Sequence, residues 1–471
     1  MNKILNLIKF FYRNFFPSFI RKRLYKWELR FIHWYNPLSK NLISDLANDD
    51  CFEACKKEIL NKNNNIRSNY YLHKSFNKYL IRSNLIEDKW WSDFILLTTL
   101  PDGIKFQQIN KSLINNIDNS NFNSLHYYEV LNIYSLSIRF GLFELGYYLR
   151  NKSLKIALSY STFSKKNEIW KLKAKLSALI ETENFSEFDR LLSIFNNRWK
   201  KEKNLLSFLR KVYDPSKNLS LQTLCSKMES KQDHKFRKLL ENKKLVIVGS
   251  SPTNKKNGNA IDSAELVIRN NYINQDSFGH KDFKGSKCEI SYINTEKSIN
   301  IAETTNLRLS SSLLWIVTKS CSDKKIIFNK LSSDQLDTKN LNVRSLRYIN
   351  SVLFNGALHA LPNIIIDLSC FNPKEIFLYH YDLMLTKERE TQYYPEYWKE
   401  ETKKKNYLKD VRLNGLAKHD PVTQFKILKS FWKRGFIKGD TRFEEVISME
   451  LKDYMKSLQK YYRGSNDTKI V

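Results

Sequence analysis

The sequence predicts an α/β protein, with a doubly wound, mostly parallel sheet in its carboxyl-terminal half preceded by an all-α helical domain. From residue 245 onward short apolar runs alternate with helical stretches, the pattern of a parallel sheet covered on both faces. From residue 41 to about 238, apolar residues recur three and four apart, as on helices. The 471 residues are 42% hydrophobic and 13% aromatic, enough to bury sizeable cores, which excludes a wholly disordered chain. Only 12 Gly and 9 Pro exclude collagenous and flexible low-complexity classes.

Taken in order, residues 1–40 form a basic, aromatic, amphipathic segment in which Lys9, Arg13 and Arg21-Lys22-Arg23 interrupt the apolar residues. No run approaches the roughly 18 apolar residues of a spanning helix, and no apolar core leads to a small-residue cleavage site. The segment reads either as an anchor lying on an anionic membrane surface or as a basic helix packed on the next domain. Lys+Arg 79 against Asp+Glu 49 gives a net charge of +30, which favours anionic partners. Part of that excess is compositional, because Lys, Asn and Ile are abundant throughout. No recognised nucleic-acid module accompanies it, so nucleic acid is not the expected partner.

Residues 41–238 read as a helical domain. Ala47 to Leu60 carries apolar residues three and four apart after Asp49-Asp50, which favour a helix start. Two later stretches share one plan. Val130 through Gly141-Leu142-Phe143-Glu144 to Leu149, and Leu172 through Asn184-Phe185-Ser186-Glu187 to Leu192, each read as helix, short turn, helix. Such pairs stack in helical-repeat arrays. Cys51 and Cys55 lack a second pair to complete a zinc site and read as small buried residues. Six cysteines in so long a chain form no disulfide framework, which favours a reducing, cytoplasmic setting. The turn Asp214-Pro215-Ser216-Lys217-Asn218 and the charged stretch Lys231 to Lys244 place a boundary near 238.

Residues 239–447 carry the α/β pattern, and 448–471 read as a helix end and a flexible basic tail. Strands are expected at Leu245 to Val248, Leu266 to Ile268, Glu289 to Ile293, Leu313 to Val317, Lys325 to Phe328 and Glu375 to Tyr379, with a helix over Ala357 to Leu368. The loop Gly249-Ser250-Ser251-Pro252-Thr253 follows the first strand, where ligands of such sheets bind. Its glycine permits close backbone approach, and its hydroxyls and amides can donate to anionic oxygens. The spacing is neither that of a P-loop nor of a Gly-x-Gly-x-x-Gly turn.

The succession of segments from Val246 onward resembles the sialyltransferases of glycosyltransferase family 29, and more distantly the bacterial sialyltransferases of family 42. Val246 to Asn294 resembles the long sialylmotif, through the strand and Gly/Ser loop, Ile261-Asp262, Val267-Ile268-Arg269-Asn270-Asn271, and Gly285-Ser286-Lys287. Asn355-Gly356 and Glu375-Ile376-Phe377-Leu378-Tyr379 resemble the short sialylmotif. Tyr393 to Glu400 resembles an aromatic-acidic motif, and His419-Asp420-Pro421 the final motif, whose histidine serves as base. The resemblance covers roughly 200 of the 471 residues. It implies a GT-A-like fold of sialyltransferase type, a cytidine monophosphate-sialic acid donor and a glycan acceptor.

On that resemblance Gly249, Ser250, Ser251 and Thr253 would meet the phosphate or sugar, while Asn271 and Asn294 would hold the cytidine monophosphate part. Asn271 and Asn294 also fit plain turn chemistry at strand ends. Asn355 and Gly356 would let a helix point its amino end at the nucleotide. Tyr393 and Tyr394 would donate hydroxyls to the leaving phosphate. His419 precedes Asp420, suited to a helix cap, and Pro421, suited to a first helical position. Phe425, Leu428, Phe431 and Trp432 continue that helix. An imidazole at a helix amino end is favoured in its neutral form, which a general base needs. His359 and His380, in segments that read as helix and strand, are expected outside the site.

Three departures from the family pattern stand out. The animal members join the long and short motifs by a disulfide. Here Cys370 lies near one position but Lys244-Leu245 occupies the other, so that bond is absent. The final motif has Gln424 near the place of its usual Glu, and Glu396 stands for the histidine of the aromatic-acidic motif. The expected activity is an inverting transfer of sialic acid to a glycan hydroxyl at the cytoplasmic face of a membrane, with no metal or other cofactor required. The alternatives are a transferase for another cytidine-activated acidic sugar, and a non-catalytic helical scaffold with a degenerate nucleotide fold.

Overall fold

The computed structural model describes residues 88–463 except 101, 119–121, 123–124, 162–168, 194–199, 215–229, 252, 273–280, 305–306, 308, 334–340, 347–357, 386–415 and 417–418. The amino-terminal segment, Ala47 to Leu60 with Cys51 and Cys55, and Tyr393 to Glu400 lie outside the described residues.

Among the described residues seven helices come first: α1 (Asp88–Thr99), α2 (Ile104–Asn116), α3 (Tyr127–Arg139), α4 (Phe143–Ser159), α5 (Ile169–Glu181), α6 (Phe185–Ser193) and α7 (Lys200–Tyr213). Both expected helical pairs are present, as α3–α4 and α5–α6. Gly141 turns between the first pair at φ 75°, where a side chain would be strained. A capping box on Ser230 and Asp233 starts α8 (Lys231–Leu240), which leads into the sheet.

The sheet comprises β1 (Lys244–Val248), β2 (Leu266–Asn270), β3 (Ile290–Ile293), β4 (Trp315–Thr318), β5 (Asn342–Ser345), β6 (Glu375–Tyr379) and β7 (Ile437–Gly439). All pairs are parallel, in the order β5-β4-β3-β2-β1-β6-β7. Between strands lie α9 (Gly258–Asp262), α10 (Lys281–Lys284), α11 (Thr295–Glu303), α12 (Cys321–Ser333), α13 (Ala360–Leu368) and α14 (Pro421–Lys433). The chain then adds α15 (Thr441–Ser448) and α16 (Leu451–Arg463).

Side-chain alternation along the strands sorts the core into two faces. Leu245, Ile247, Leu266, Ile268, Ile376 and Leu378 join the helices before β1, α13, α14 and α16 in one continuous apolar core. On the opposite face Val246, Val248 and Val267 pack with Ile261 of α9, while Ile293, Ile316 and Val343 pack with α11 and α12. Right-handed crossovers account for this division. Strands added from β2 to β5 extend one way with helices on one face, whereas β6 and β7 extend the other way with α13 and α14 on the other. The order reverses between β1 and β6.

Five of the six expected strands are in the sheet. Lys325 to Phe328 is instead the middle of α12. Ser320 accepts the Asp323 N–H at the helix start (3.1 Å), and Ile327 and Leu331, four apart, are the buried stripe while Phe328 is 60% exposed. The strand β5, missed in the sequence, hides behind Asn342-Val343-Arg344-Ser345. Arg344 is buried because its guanidinium pairs with Asp367 (3.0 Å) and packs between the rings of Phe236 and Phe371 (4.6 and 4.9 Å). The expected helix over Ala357 to Leu368 begins at Ala360, after an N-cap at His359. Cys370, expected to be reduced, is disulfide-bonded, whereas Cys288 and Cys321 carry free thiols. Among the described residues no helix is long and apolar enough to cross a membrane.

Candidate functional site

Helices that return to a following parallel strand run against the strand direction, so their amino ends stand at the strands' carboxyl edge. At that edge the turn after β1 meets the turn after β6, where the strand order reverses. The Gly249 N–H donates to the Tyr379 carbonyl (2.8 Å) and the Ser251 N–H to the His380 carbonyl (3.2 Å). A Cβ on Gly249 would lie 2.2 Å from the His380 carbonyl oxygen, so only glycine permits this approach. Ser251 Oγ donates to Asp382 Oδ1 (2.8 Å), which also accepts the Met384 N–H (3.1 Å). Beneath the loop the buried Lys284 ammonium donates to the Ser251 carbonyl (3.0 Å). Ser250 is half-buried on the same turn, and Thr253 Oγ1 accepts the Lys255 N–H (3.1 Å).

His380 does not lie apart from this site, contrary to the sequence expectation. It follows β6 directly with φ 60°, its N–H donating to Asp440 Oδ2 (2.7 Å), and its buried ring Nε2 3.1 Å from the Phe283 carbonyl. Leu383 and Met384 follow at φ 50° and 74°. Such conformations persist only where the surroundings over-determine them. Here the hydroxyls of Tyr454 and Tyr462, both on α16, donate to the Leu383 and Met384 carbonyls (2.7 and 3.2 Å).

Two strands away, Asn271 follows β2 directly at φ 58° and its Oδ1 accepts the Asn294 N–H (3.0 Å). Asn294 Oδ1 caps α11 by accepting the Lys297 N–H (2.8 Å). The two asparagines are thus adjacent, and each spends its carbonyl oxygen on local structure. Asp262 and Gly285-Ser286-Lys287 are a structural lock. The Asp262 carboxylate accepts the N–H groups of Ser286 and Lys287 (2.8 and 2.9 Å).

His419 immediately precedes α14, with Asp420 as N-cap and Pro421 in the first turn, as expected. The Asp420 carboxylate, however, makes no side-chain cap bond to the first turn. Its φ of 47° turns it inward, where it accepts hydrogen bonds from Tyr134 and Thr423 and lies 3.3 Å from Arg150. The His419 ring meets His359 edge-on, with centroids 5.0 Å apart. His359 was expected to lie within a helix; it is the residue before α13, because the helix begins only at Ala360. Gln424 brackets the pair, its Nε2 donating to the His419 carbonyl and its Oε1 accepting the His359 N–H (3.1 Å). Since α13 feeds β6 and α14 feeds β7, both histidines stand at the carboxyl edge shared by Gly249 and His380.

Asn355, Gly356, Tyr393 and Tyr394 lie outside the described residues. No local pattern marks Lys284, Asp382 or Asp440 as neighbours of the Gly249 loop. The strand order alone, had it been known, would have nominated the turn after β6. Comparison with protein-family models, with curated proteins and with solved structures finds no match to this chain.

Proposed function

We propose that the chain is an inverting glycosyltransferase of sialyltransferase type, moving sialic acid from cytidine monophosphate to a glycan hydroxyl. The observation that carries this reading is the juxtaposition at one sheet edge of the Gly249 loop, at the reversal of strand order, and His419, at the amino end of α14. The order of the sialylmotif-like segments supports it. In this reading the sheet is the GT-A-like transferase fold, and the helices before it, which share its apolar core, support it. The acceptor hydroxyl loses its proton to His419 and attacks the anomeric carbon as cytidine monophosphate leaves, inverting the configuration. Gly249, Ser250, Ser251 and Thr253 with Asn271 and Asn294 hold the donor; Asn355, Gly356, Tyr393 and Tyr394 complete its site. The leaving group is already good, so the chemistry requires no metal.

The basic aromatic segment before residue 40 would hold the enzyme on the anionic cytoplasmic face of a membrane, near its glycan acceptors. Incubation with cytidine monophosphate-sialic acid and glycan acceptors, followed by release of cytidine monophosphate, tests the transfer. No release with this or another cytidine-activated acidic sugar, together with melting indifferent to millimolar cytidine monophosphate, rejects it. Sedimentation with anionic vesicles, before and after deletion of residues 1–35, tests the membrane reading.

A further inference from the structure

Asp420 stands in the place of an N-cap but does not do its chemistry. A capping aspartate keeps extended backbone and accepts a first-turn N–H. Asp440 does this ahead of α15, at φ −67°, with Oδ1 accepting the Phe443 N–H (3.0 Å). Asp420 lies instead at φ 47° and ψ 88°, caps no N–H with its side chain, and is buried at 1% exposure. A residue with a Cβ stays in such a conformation only where its surroundings hold it.

The hold comes from another part of the chain. Asp420 Oδ1 accepts the hydroxyl of Tyr134 on α3, while Oδ2 accepts that of Thr423 and faces Arg150 Nη2 on α4 (3.3 Å). The same Nη2 donates to Thr423 Oγ1 (3.3 Å), and the guanidinium lies against the Tyr134 ring, 5.3 Å from its centroid. Glu181 on α5 accepts Arg150 Nε (3.2 Å), which anchors the guanidinium. Burial, with Asp420 beside it, holds the Tyr134 phenol well above the usual tyrosine range, so it stays a donor near neutrality.

The bend matters because of what precedes it. The φ of Asp420 is the rotation between the planar peptide joining residues 419 and 420 and the helix that follows. Relaxing it to the value found at Asp440 would swing that plane by more than a right angle. The His419 carbonyl lies in that plane and accepts from Gln424 Nε2, and the Cα of the same plane carries the ring that meets His359 edge-on. With α13 and α14 fixed, neither contact survives such a swing.

We infer that Tyr134 and Arg150 are positioning residues for His419: by holding Asp420 in its bend, they aim the imidazole from helices that precede the sheet. The consequence for turnover rests on the proposed role of His419 as base, whereas the link from Tyr134 to the ring does not.

The test is Tyr134→Phe in the full chain, which removes one hydroxyl and keeps the buried ring. Turnover is measured with cytidine monophosphate-sialic acid and a glycan acceptor, affinity with cytidine monophosphate, and the ring signals of isotope-labelled histidines by NMR. The kcat should fall roughly tenfold, the size of one hydrogen bond to a charged group, with nucleotide affinity unchanged. In a His419→Ala background the same change should cost no further turnover, because its route runs through the missing ring. The His419 and His359 ring signals should move in Tyr134→Phe while those of His234, exposed on α8, stay in place. A tenfold loss that persists in the His419→Ala background overturns the inference, as does unchanged kcat or an unmoved His419 signal. If wild type transfers no sialic acid, the ring signals alone decide. A His419 shift then upholds the link while the transfer reading fails, and its absence overturns the link. Should Tyr134→Phe fold poorly, Thr423→Ala, which removes the other hydroxyl held by Asp420, serves for the same comparisons.

Discussion

Arg150 and Asp420, far apart in the chain, meet in the core with their charged atoms 3.3 Å apart, both side chains about 1% exposed. Arg150 on α4 also pairs with Glu181 on α5, and Lys426 lies 3.8 Å from Glu181, so two cations face two carboxylates. Burial opposes the charge on Arg150, but Asp420 and Glu181 outweigh it and hold the guanidinium above the usual arginine range. The helices before the sheet are thereby fastened to the residue that follows His419.

Removing one partner of this cluster should leave a buried charge uncompensated. Arg150→Met and Asp420→Asn are each expected to destabilise the fold by about 3–5 kcal/mol. The double variant should cost less than the sum, since each single change already breaks the same contact. Urea denaturation of the four proteins measures this. Full additivity would mean the two residues are not coupled.

At the sheet edge Gly249 has no room for a side chain. A methyl group there would overlap the His380 carbonyl, which accepts the Ser251 N–H and belongs to a residue whose own N–H is held by Asp440. Gly249→Ala should therefore cost on the order of 1–3 kcal/mol, the usual penalty for overpacking. It should also weaken cytidine monophosphate binding more than Thr253→Ala does. Equal affinity for wild type and Gly249→Ala would show that the ligand does not rest on this turn.

Most of the sheet was legible because buried parallel strands are written as unbroken apolar runs, as in Leu245-Val246-Ile247-Val248. Lys325 to Phe328 misled because a short apolar run fits a strand or a buried helix stripe equally well. β5 and the three-residue β7 were silent, since edge strands need little apolar surface and Arg344 draws its burial from partners distant in sequence. The site divided in the same way. Gly249, His419 and the two asparagines were nominated by local chemistry together with the order of the motif-like segments. His359 and His380 were misplaced because their roles depend on where a helix starts and where the strand order reverses.

The pH dependence of Lys297 has a definite sign. Its folded pKa is lowered by burial, while the unfolded value is near 10.4. Between those two values the unfolded chain binds more protons, so stability rises with pH across that interval. Below it the cost of the buried charge is present in full. Lys297→Met should therefore be more stable than wild type at neutral pH, and its advantage should shrink as pH approaches about 10.4. Denaturation midpoints between pH 7 and 10 test this; a difference independent of pH would mean that the ammonium is solvated.

The transfer reading makes its strongest demand on the histidine pair. His419→Ala removes the proposed proton acceptor but no proposed nucleotide contact. Turnover should fall by roughly 10²–10⁴ with little change in donor affinity. His359→Ala should also lower turnover, by less, because the ring that meets His419 edge-on is lost while the base itself remains. Gln424→Ala releases both the His419 carbonyl and the His359 N–H. It should reproduce the His359 effect through loosened geometry, and Gln424→Glu should recover only part of it, since a carboxylate can accept from His359 but cannot donate to His419. His234, exposed on α8, is the control expected to leave turnover unchanged. Turnover and nucleotide affinity measured for all five variants separate the roles. If His419→Ala keeps near-normal turnover while His359→Ala loses it, the base is His359, and the pair has been assigned in the wrong order.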